Sequence, residues 1–375
     1  MSPGGPRLRL GLVGPLPPPS GGMANQTRQL AALLGAEGLE VSIARTNAPY
    51  RPAWVGSIRG LRGLVHQIPY RRSLSKLAGD VQVMHVMANS GWAWFLLAAP
   101  AIGAAMKRGV PVIVNYRGGL AREFLRDSGK HVVALLRKVD ALIVPSRFLQ
   151  EVFAEQGVTA RIIPNVVNLE VFGAPPAEPR SGSRPHLVIT RNLETIYGID
   201  TALRAAALLR TEFPGLRVSV AGSGPERAAL EQLSASLGLT NIVRFTGRLE
   251  VQDVVALYHD ADIALNPSRA DNTPNSLLEA AAAGVPLVST NVGGVPYLVE
   301  HGKSAWLVPV DAPDLMAAGI AHVLRTDDLR NSLRENARTL ASSCSWPSVR
   351  PQWLDLYEQL ASKNSRGAFA AASAS

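Results

Sequence analysis

One stretch of this chain, residues 266–300, decides the fold: NPSRADNTPNSLLEAAAAGVPLVSTNVGGVPYLVE. It reads as the end of a strand, a polar loop, a helix at 275–283, a buried strand, a Gly-Gly turn and the start of another helix. Gly284 is a typical helix stop, and Pro286 prevents the helix from continuing. This alternation of short buried strands with helices is typical of parallel α/β folds.

The loop before this helix is rich in short polar residues, among them Asp271, Asn275 and Ser276. The first backbone N–H groups of a helix lack partners within the helix and point outward, an arrangement that binds anions such as a diphosphate. Glu279 lies about one turn into the helix, and two flanking carboxylates can accept hydrogen bonds from sugar hydroxyls. The plainer interpretation is that Asn275 and Ser276 merely cap the helix and that Glu279 is an ordinary first-turn acid.

The same segment resembles the acid-x7-acid motif of the retaining GT-B glycosyltransferases (glycosyl transferases group 1), a family that includes bacterial α-mannosyl- and α-glucosyltransferases. The similarity continues through LLEAAAAGVPLVSTNVGG and LVPVDAPDLMAAGIAHVL. The resemblance implies that Glu279 binds the donor ribose and that Asp271 binds the donor sugar. The chain departs from the family at the first acid, which is usually Glu followed by Phe-Gly and here is Asp271 followed by Asn-Thr-Pro.

The composition is that of a globular protein with room for two cores. Of the 375 residues, 47% are hydrophobic and 18% are charged, which excludes a disordered chain. Cys344 is the only cysteine, so no internal disulfide can form and a reducing, cytoplasmic location is expected. Residues 1–22 are broken by prolines and do not resemble a signal peptide. The longest apolar run, 92–106, is too short to cross a bilayer.

The first part of the chain predicts a doubly wound acceptor-side domain at 1–172. Strands are predicted at 8–13, 41–44, 81–86, 110–115, 140–145 and 160–163, and helices at 23–37, 92–106 and 147–156. Gly21 and Gly22 end the loop after the first strand, where such folds bind ligands. By resemblance they contact a donor phosphate, and a plain flexible turn is the alternative. Arg117 follows a buried strand beside two glycines, a position that favours contact with a ligand, and a structural arginine is the alternative.

A Pro/Gly/Ser-rich linker at 173–185 precedes a second doubly wound domain at 186–345. Its strands are predicted at 186–190, 216–221, 242–245 and 263–266, and its helices at 199–210, 225–237, 251–259 and 312–325. The segment 346–362 resembles the helix that returns to the first domain in the family, and 363–375 is expected to be a disordered tail. The predicted fold class is therefore α/β of the GT-B type, with two Rossmann-like domains facing a central cleft.

The resemblance also implies a diphosphate site at Arg191, which follows the first strand of the second domain. A lysine normally accompanies this arginine, but Ile196 and Tyr197 occupy its place. Arg117 or the helix N-terminus would then supply the second positive charge. A fixed arginine stabilises a departing diphosphate by about 3 to 4 kcal/mol. The predicted catalytic residues are Arg191, Asp271 and Glu279, and the predicted donor-binding residues are Gly21, Gly22, Arg117, Gly222, Asn275, Ser276 and Leu277.

Metal and cofactor motifs are weak. Asp260-Ala261-Asp262 matches the D-x-D of metal-dependent glycosyltransferases, but capping and exposure explain both acids and GT-B enzymes do not need that metal. Gly222-Ser223-Gly224 is an incomplete dinucleotide fingerprint, and the seven histidines show no metal-ligand spacing. We therefore expect no metal and no cofactor. No protein base is required either, because a donor phosphate oxygen can take the acceptor proton. Retention of configuration is implied by the resemblance alone.

The formal net charge of +9 indicates a negative partner. No acid occurs between residues 41 and 79, which hold aromatics and seven cations: Arg45, Arg51, Arg59, Arg62, Arg71, Arg72 and Lys76. Such a segment is usually a solvated face, but it can also bind phosphate-bearing lipid. We predict an anionic membrane surface as a partner of 45–76, on the cytoplasmic side. No nucleic-acid module is present, so nucleic acid is not expected as a partner.

Three functions compete. The favoured one is transfer of a sugar from a nucleotide diphosphate sugar to a hydroxyl of a glycan or lipid-linked acceptor, with retention. The second is a GT-B nucleotide-sugar epimerase, which is disfavoured because no acid/base pair is found. The third is a non-catalytic nucleotide-sugar-binding relative, suggested by the missing lysine and by Asp271. The nucleotide base, the sugar and the acceptor have no recognisable motif.

Overall fold

The structure is a computed structural model that describes residues 7–18, 21–48, 61–173 and 184–372. The chain divides into two compact units. The first comprises the residues up to Pro164 together with those from Val349 onward, and the second is Asn165–Ser348. Each unit contains one parallel sheet of six strands. No helix in the described ranges is long and apolar enough to span a bilayer.

The first unit is a doubly wound sheet with helices between its strands. Its strand order is β2-β1-β3-β4-β5-β6, with β1 (Arg9–Gly14), β2 (Glu40–Arg45), β3 (Val83–Ala88), β4 (Val112–Tyr116), β5 (Ala141–Val144) and β6 (Arg161–Ile162). The helices are α1 (Gly22–Ala36), α2 (Leu61–Asp80), a π-helix (Trp94–Ala98), α3 (Ala99–Lys107), α4 (Ala121–Leu136) and α5 (Arg147–Ala154). The strands β3 and β4 are buried along their whole length, as expected where helices cover both faces of a parallel sheet.

Local signals explain several of these boundaries. The hydroxyl of Ser146 accepts a hydrogen bond from the backbone N–H of Leu149 and so caps α5, as predicted. In α2, the buried side chains of Tyr70, Leu74 and Leu77 recur at helical spacing. They pack into the core of the first unit although Pro69 lies within the helix. The sequence pattern predicts no helix at α2 or α4, and only the structure reveals these two helices.

The second unit has the strand order β12-β11-β10-β7-β8-β9. Its strands are β7 (His186–Thr190), β8 (Arg217–Ala221), β9 (Val243–Gly247), β10 (Ile263–Asn266), β11 (Leu287–Thr290) and β12 (Trp306–Val308). Its helices are α6 (Leu169–Phe172), a 3-10 helix (Thr195–Tyr197), α7 (Ile199–Leu209), α8 (Arg227–Ser236), α9 (Val251–His259), α10 (Asn275–Ala282), α11 (Val295–Leu298), α12 (Pro313–Arg325) and α13 (Asp327–Ser343). Two GT-B domains of Rossmann-like topology were predicted, and both sheets confirm that topology.

The boundary between the units lies earlier than the predicted 1–172 domain implies. Asn165 begins the second unit, and its side-chain amide donates to the carbonyl of Thr273 and to Oδ1 of Asn275. Phe172 packs on Tyr258 with ring centroids 6.3 Å apart. These contacts assign 165–172 to the second unit. Most of the predicted linker at 173–185 lies outside the described residues.

The last helix, α14 (Trp346–Ala372), joins the first unit from Val349 onward. Its buried Trp353 and Tyr357 pack against His85 of β3, with ring centroids 4.9 and 6.0 Å away. The prediction that this segment returns to the first domain is consistent with this packing. The helix continues past residue 363 as far as Ala372, and the expectation of a disordered tail at 363–375 stays a prediction. The segment is rich in alanine, which has the highest helix propensity.

Candidate functional site

The candidate site lies at the switch point of the second sheet, where β7 and β10 pair side by side. The strand order runs outward in opposite directions from this pair, and doubly wound folds bind ligands beyond the carboxyl ends of such strands. Arg191 directly follows β7, and Asp271 lies in the loop after β10. Nη2 of Arg191 and Oδ2 of Asp271 are 2.5 Å apart, and both side chains are only 12% exposed.

Arg191 is held on three sides. Besides Asp271, its Nη1 donates to Oγ of Ser276 at 3.3 Å. The guanidinium carbon lies 4.1 Å from the ring centroid of Tyr197, a cation–π distance. Its Nε is buried and has no hydrogen-bond partner among the described residues. The site therefore holds a fixed positive charge with one donor still unused.

Tyr197 occupies the place where the family has a second cation. The sequence predicts only that this charge is missing, whereas the structure shows an aromatic ring stacked on Arg191. Burial raises the pKa of the Tyr197 hydroxyl, which keeps the ring neutral at ordinary pH. The Arg191 guanidinium consequently packs on an uncharged ring, which orients it, and is not repelled by the positive charge of a neighbouring lysine.

The Asp271 carboxylate is fixed by its own loop as well as by Arg191. Ser268 donates its hydroxyl to Oδ2 at 3.2 Å, and the backbone N–H of Asn272 donates to Oδ1 at 2.9 Å. Beneath the loop, the Thr290 hydroxyl donates to the Ser268 carbonyl at 2.6 Å, and the Asn266 amide donates to the Ser289 hydroxyl at 3.1 Å. This buried network gives the loop a defined conformation.

The start of α10 is not capped by its own side chains. Its N-cap is Pro274, and no side chain accepts a capping hydrogen bond. Oδ1 of Asn275 instead accepts from Asn165, and the Ser276 hydroxyl accepts from Arg191. The interpretation of these two residues as mere caps is therefore wrong. Leu277 is a buried core residue, so only its backbone is available to a ligand.

Glu279 lies one turn into α10 and is partly buried. Burial raises the pKa of its carboxyl to about 7, against the opposing effect of nearby Arg191. The carboxyl accepts no hydrogen bond from the residues that the structure describes. Glu279 is thus a carboxyl of nearly neutral pKa whose acceptor atoms are free for a ligand.

Two glycines let neighbouring turns approach the Arg191 and Asp271 loops. A Cβ on Gly222 would lie 2.0 Å from the carbonyl oxygen of Arg191. A Cβ on Gly293 would lie 2.1 Å from the carbonyl oxygen of Asp271, and its φ of +54° is in the left-handed region. Gly222 and Gly293 are therefore required by backbone packing. Binding of a donor by Gly222 stays a prediction.

Tyr258 of α9 is a buried residue that the sequence analysis missed. Its hydroxyl lies 2.5 Å from Oγ1 of Thr190, at the end of β7, and 3.1 Å from the carbonyl oxygen of Ser276. It thereby links the strand that precedes Arg191 to the first turn of α10. A lone tyrosine in an apolar helix forms no sequence pattern that would predict this contact.

The three predicted residues of the first unit lie near one another. Gly21 is the N-cap of α1, with open space beside its Cα, and Gly22 begins the helix. Arg117, at the end of β4, donates from Nη1 to Oε1 of Gln26 in α1 at 3.3 Å. Burial lowers the Arg117 pKa to about 10, so the side chain stays charged at ordinary pH. Their role toward a ligand stays a prediction.

Behind Arg117 runs a hydrogen-bond chain within the first unit. Nε of Arg117 donates to Oδ1 of Asn115 at 3.2 Å, and the Asn115 amide lies 3.0 Å from Nε2 of buried His85. Nδ1 of His85 lies 2.7 Å from the hydroxyl of Tyr357 in α14. Because the amide donates to Nε2, the histidine must be neutral with its proton on Nδ1. Burial and Arg117 lower the His85 pKa to about 3.

The D-x-D acids lie at the opposite end of the second sheet. The backbone N–H of His186, the first residue of β7, donates to Oδ2 of Asp262 at 2.7 Å. Asp260 pairs with Arg217, the first residue of β8, at 3.2 Å. Both acids therefore serve the amino ends of strands, away from Asp271. Within the described ranges, no group of three or more His, Cys, Asp or Glu could hold a metal ion.

Two family descriptions match the chain. Residues 175–340 match the glycosyl transferases group 1 and residues 20–171 match glycosyltransferase family 4. The two matches together cover both units. The chain therefore contains a family 4 domain followed by a group 1 domain of the glycosyltransferases.

Two bacterial enzymes resemble parts of this chain. The D-inositol 3-phosphate glycosyltransferase of Corynebacterium urealyticum is 34% identical over 45% of this chain, a match that spans 41% of that relative's length. The glycogen synthase of Mycobacterium tuberculosis H37Rv is 29% identical over 70% of this chain and 66% of its own length. The match thus spans less than half the length of the first of these relatives.

Solved structures show the same fold. The sucrose-phosphate synthase of Thermosynechococcus elongatus superposes with a TM-score of 0.76 at 20% identity, over 94% of this chain and 99% of that one. The Anabaena protein HepE in complex with UDP-glucose superposes with a TM-score of 0.74 at 17% identity, over 93% of this chain and 99% of that one. These likenesses confirm the predicted GT-B fold of this chain.

Proposed function

We propose that the protein transfers a glycosyl unit from a nucleotide diphosphate sugar to a hydroxyl group of a glycan or lipid-linked acceptor. The observation that carries this proposal is the switch-point site, where Arg191 presents a buried, unpartnered Nε next to the start of α10. Diphosphate oxygens are the acceptors that suit a guanidinium and a helix N-terminus. The Glu279 carboxyl, which accepts no hydrogen bond from the described residues, lies one turn further along α10. A ribose attached to the bound diphosphate would lie there.

In the proposed reaction, the bond from the anomeric carbon to the donor diphosphate breaks and a bond to the acceptor oxygen forms. The bonding electrons leave with the diphosphate, whose growing negative charge Arg191 stabilises electrostatically. The acceptor proton passes to a donor phosphate oxygen, so the chain need not supply a base. Asp271 holds the donor sugar, and the same-face attack leaves the anomeric configuration retained.

The names of the relatives and of the similar structures support the substrate class. HepE is described in complex with UDP-glucose, which supports a UDP-sugar as the first donor to test. Glycogen synthase and sucrose-phosphate synthase, by their names, make carbohydrate products, which supports a carbohydrate hydroxyl as the acceptor. No metal and no cofactor beyond the donor are proposed.

The test is incubation of the purified chain with UDP-, GDP- and ADP-sugars and with glycan and lipid-linked acceptors, followed by NMR of the product. The expected result is release of nucleoside diphosphate with a product of the donor's anomeric configuration. An inverted product contradicts retention. Conversion of the nucleotide sugar into its epimer without an acceptor identifies the epimerase alternative, and binding without turnover identifies the non-catalytic one.

We also propose that the first unit docks on an anionic membrane surface where a lipid-linked acceptor is presented. Of the basic stretch 45–76, Arg51 and Arg59 lie outside the described residues. The described face of α2 supports the proposal with exposed Arg71, Arg72 and Lys76. Exposed apolar side chains lie on α2, around the π-helix and before α4: Ile68, Trp92, Phe95, Leu96 and Leu120. Each cation near such a surface contributes about 1 kcal/mol.

Co-sedimentation with vesicles tests the docking. The wild-type chain should pellet with phosphatidylserine-containing vesicles at low salt and remain in solution with neutral vesicles or in 1 M salt, where the Debye length is about 3 Å. A variant with Arg71, Arg72 and Lys76 changed to Ser should lose pelleting. The matched control changes three exposed arginines of the second unit to Ser: Arg204, Arg244 and Arg248. Equal pelleting of both variants, or none by the wild type, contradicts the proposal.

A further inference from the structure

We propose that Arg269 is a positioning residue, which clamps two loops of the second unit, 191–198 and 267–274, in the arrangement that binds the donor. The inference rests on the proposed function, since the two loops carry the predicted diphosphate and sugar contacts. The side-chain hydrogen bonds of Arg269 go to Thr195, Asp200 and Asp311 and not to the predicted catalytic residues. Its effect on the site is therefore exerted through the loops.

Every nitrogen of the Arg269 guanidinium has an acceptor on another element. Nη1 donates to the carbonyl of Thr195 at 2.7 Å, Nη2 to Oδ2 of Asp200 at 2.8 Å, and Nε to Oδ1 of Asp311 at 2.8 Å. The backbone N–H of Arg269 donates to the carbonyl of Ile196 at 2.8 Å. One residue of the 267–274 loop thus forms two hydrogen bonds to the backbone of the 191–198 loop.

These bonds lie directly beside the groups that hold Arg191. Tyr197, which stacks on the Arg191 guanidinium, directly follows the carbonyl that Arg269 binds. Asp271, the ion-pair partner of Arg191, lies two positions after Arg269. If the two loops separated, the Tyr197 ring and the Asp271 carboxylate, which both contact Arg191, would therefore move relative to each other. The clamp sets the distance between them.

The clamp requires an arginine rather than any cation. Its three acceptors lie in different directions, and a planar guanidinium offers donors along all of them at once. A lysine ammonium is a single point at the end of a flexible chain and cannot reach a carbonyl and two carboxylates together. The two carboxylates also raise the Arg269 pKa, so the charge persists at every accessible pH.

The experiment measures nucleoside diphosphate affinity by calorimetry and donor and acceptor KM by turnover, using the full chain with Arg269→Lys and Arg269→Met. UDP, GDP and ADP are the probes. We expect about tenfold weaker binding of the nucleotide that the wild type binds, and a raised donor KM with unchanged acceptor KM. Asp311→Asn, which removes one ion pair at an exposed side chain, should give a smaller change in the same direction. This variant still tests the clamp if the Arg269 variants do not fold.

Two comparisons separate positioning from general stability. Arg217→Met removes an ion pair with Asp260 at the opposite end of the same sheet and should leave nucleotide affinity unchanged. Tyr197→Leu should weaken binding in the wild type but add little in Arg269→Met, because the ring is already displaced. Unchanged affinity in Arg269→Met, or full additivity with Tyr197→Leu, overturns the clamp. A wild type that binds none of the three nucleotides overturns the proposed function, and the clamp with it.

Discussion

At the scale of single residues, Arg191 and Asp271 form an ion pair. The Asp271 carboxylate therefore already occupies part of the guanidinium that the proposed donor diphosphate would bind. A diphosphate and Asp271 then compete for the same N–H groups. The family's usual glutamate at this position is one methylene longer, so the short Asp271 side chain is a feature of this chain rather than of the motif. Its consequence is testable.

Asp271→Asn removes the competing charge and keeps the side-chain shape. We expect nucleoside diphosphate to bind about fivefold more tightly, since an uncharged amide competes less strongly than a carboxylate for the N–H groups of Arg191. Turnover should fall, because the donor sugar loses its carboxylate contact. Calorimetry and steady-state transfer measure the two effects. Weaker nucleotide binding in this variant would show that Asp271 holds Arg191 in place instead of competing with its ligand.

Glu279 predicts a pH dependence of binding. Its carboxyl, with a pKa raised to about 7, is largely protonated at pH 6 and largely ionised at pH 8. An ionised carboxylate accepts hydrogen bonds from both ribose hydroxyls, so affinity for nucleoside diphosphate should rise with pH through 7. In Glu279→Gln the affinity should be about tenfold lower and should not follow this titration. A wild-type affinity that is flat between pH 6 and 8 would argue against the ribose assignment.

At the scale of elements, the glycine turns determine where the two loops lie. Gly222→Ala would place a Cβ 2.0 Å from the Arg191 carbonyl, so we expect a loss of roughly 1 to 3 kcal/mol of stability together with weaker nucleotide binding. The control is Gly35→Ala within α1, where nothing lies within 4 Å of the added Cβ. It should raise stability by about 0.5 to 1 kcal/mol. Thermal unfolding and calorimetry compare them, and equal effects would contradict the packing argument.

The His85–Tyr357 contact ties α14 to the first sheet and carries its own pH signature. The His85 pKa is lowered from 6.5 to about 3 in the folded chain. The stability it contributes is therefore present above pH 6.5 and lost as pH falls from 6.5 toward 3, because the unfolded chain takes up the proton first. We expect the unfolding midpoint of the wild type to fall more steeply between pH 7 and 5 than that of His85→Gln. Parallel curves would contradict a neutral, buried His85.

The sequence predicts most strands and the position of the site, because parallel strands leave a strong apolar signal and their carboxyl ends share one edge of the sheet. It places Arg191 and Asp271 in loops after two strands of the second domain, and the structure shows that these strands are neighbours and that the two side chains are in contact. It does not predict the stacking of Tyr197, the clamp of Arg269 or the hydroxyl contact of Tyr258. The contacts of Arg269 and Tyr258 join residues far apart in the chain, and the stacking of Tyr197 depends on the conformation of the loop that follows Arg191, so no simple sequence pattern encodes them.

The helices that the sequence does not predict have physical reasons of their own. The α2 segment contains Pro69 and a run of cations, which mask the buried spacing of Tyr70, Leu74 and Leu77. The α13 helix is mostly polar and buries few side chains, among them Leu333 and Ala337. In both cases tertiary packing outweighs the weak local signal.

At the scale of the whole molecule, two doubly wound units of GT-B type provide the scaffold, and the proposed chemistry belongs to the loops at one strand switch point. Fold alone does not assign the substrate, because many reactions share this architecture. The central claim is therefore that Arg191 and Glu279 bind a nucleoside diphosphate.

The most direct test is calorimetric titration of the wild type, Arg191→Met and Arg217→Met with UDP, GDP and ADP. We expect one of these nucleotides to bind the wild type at one site, Arg191→Met to bind it about tenfold more weakly or worse, and Arg217→Met to bind it as the wild type does. Thermal unfolding should show both variants folded. The absence of binding by all three nucleotides, or wild-type affinity in Arg191→Met, would contradict it.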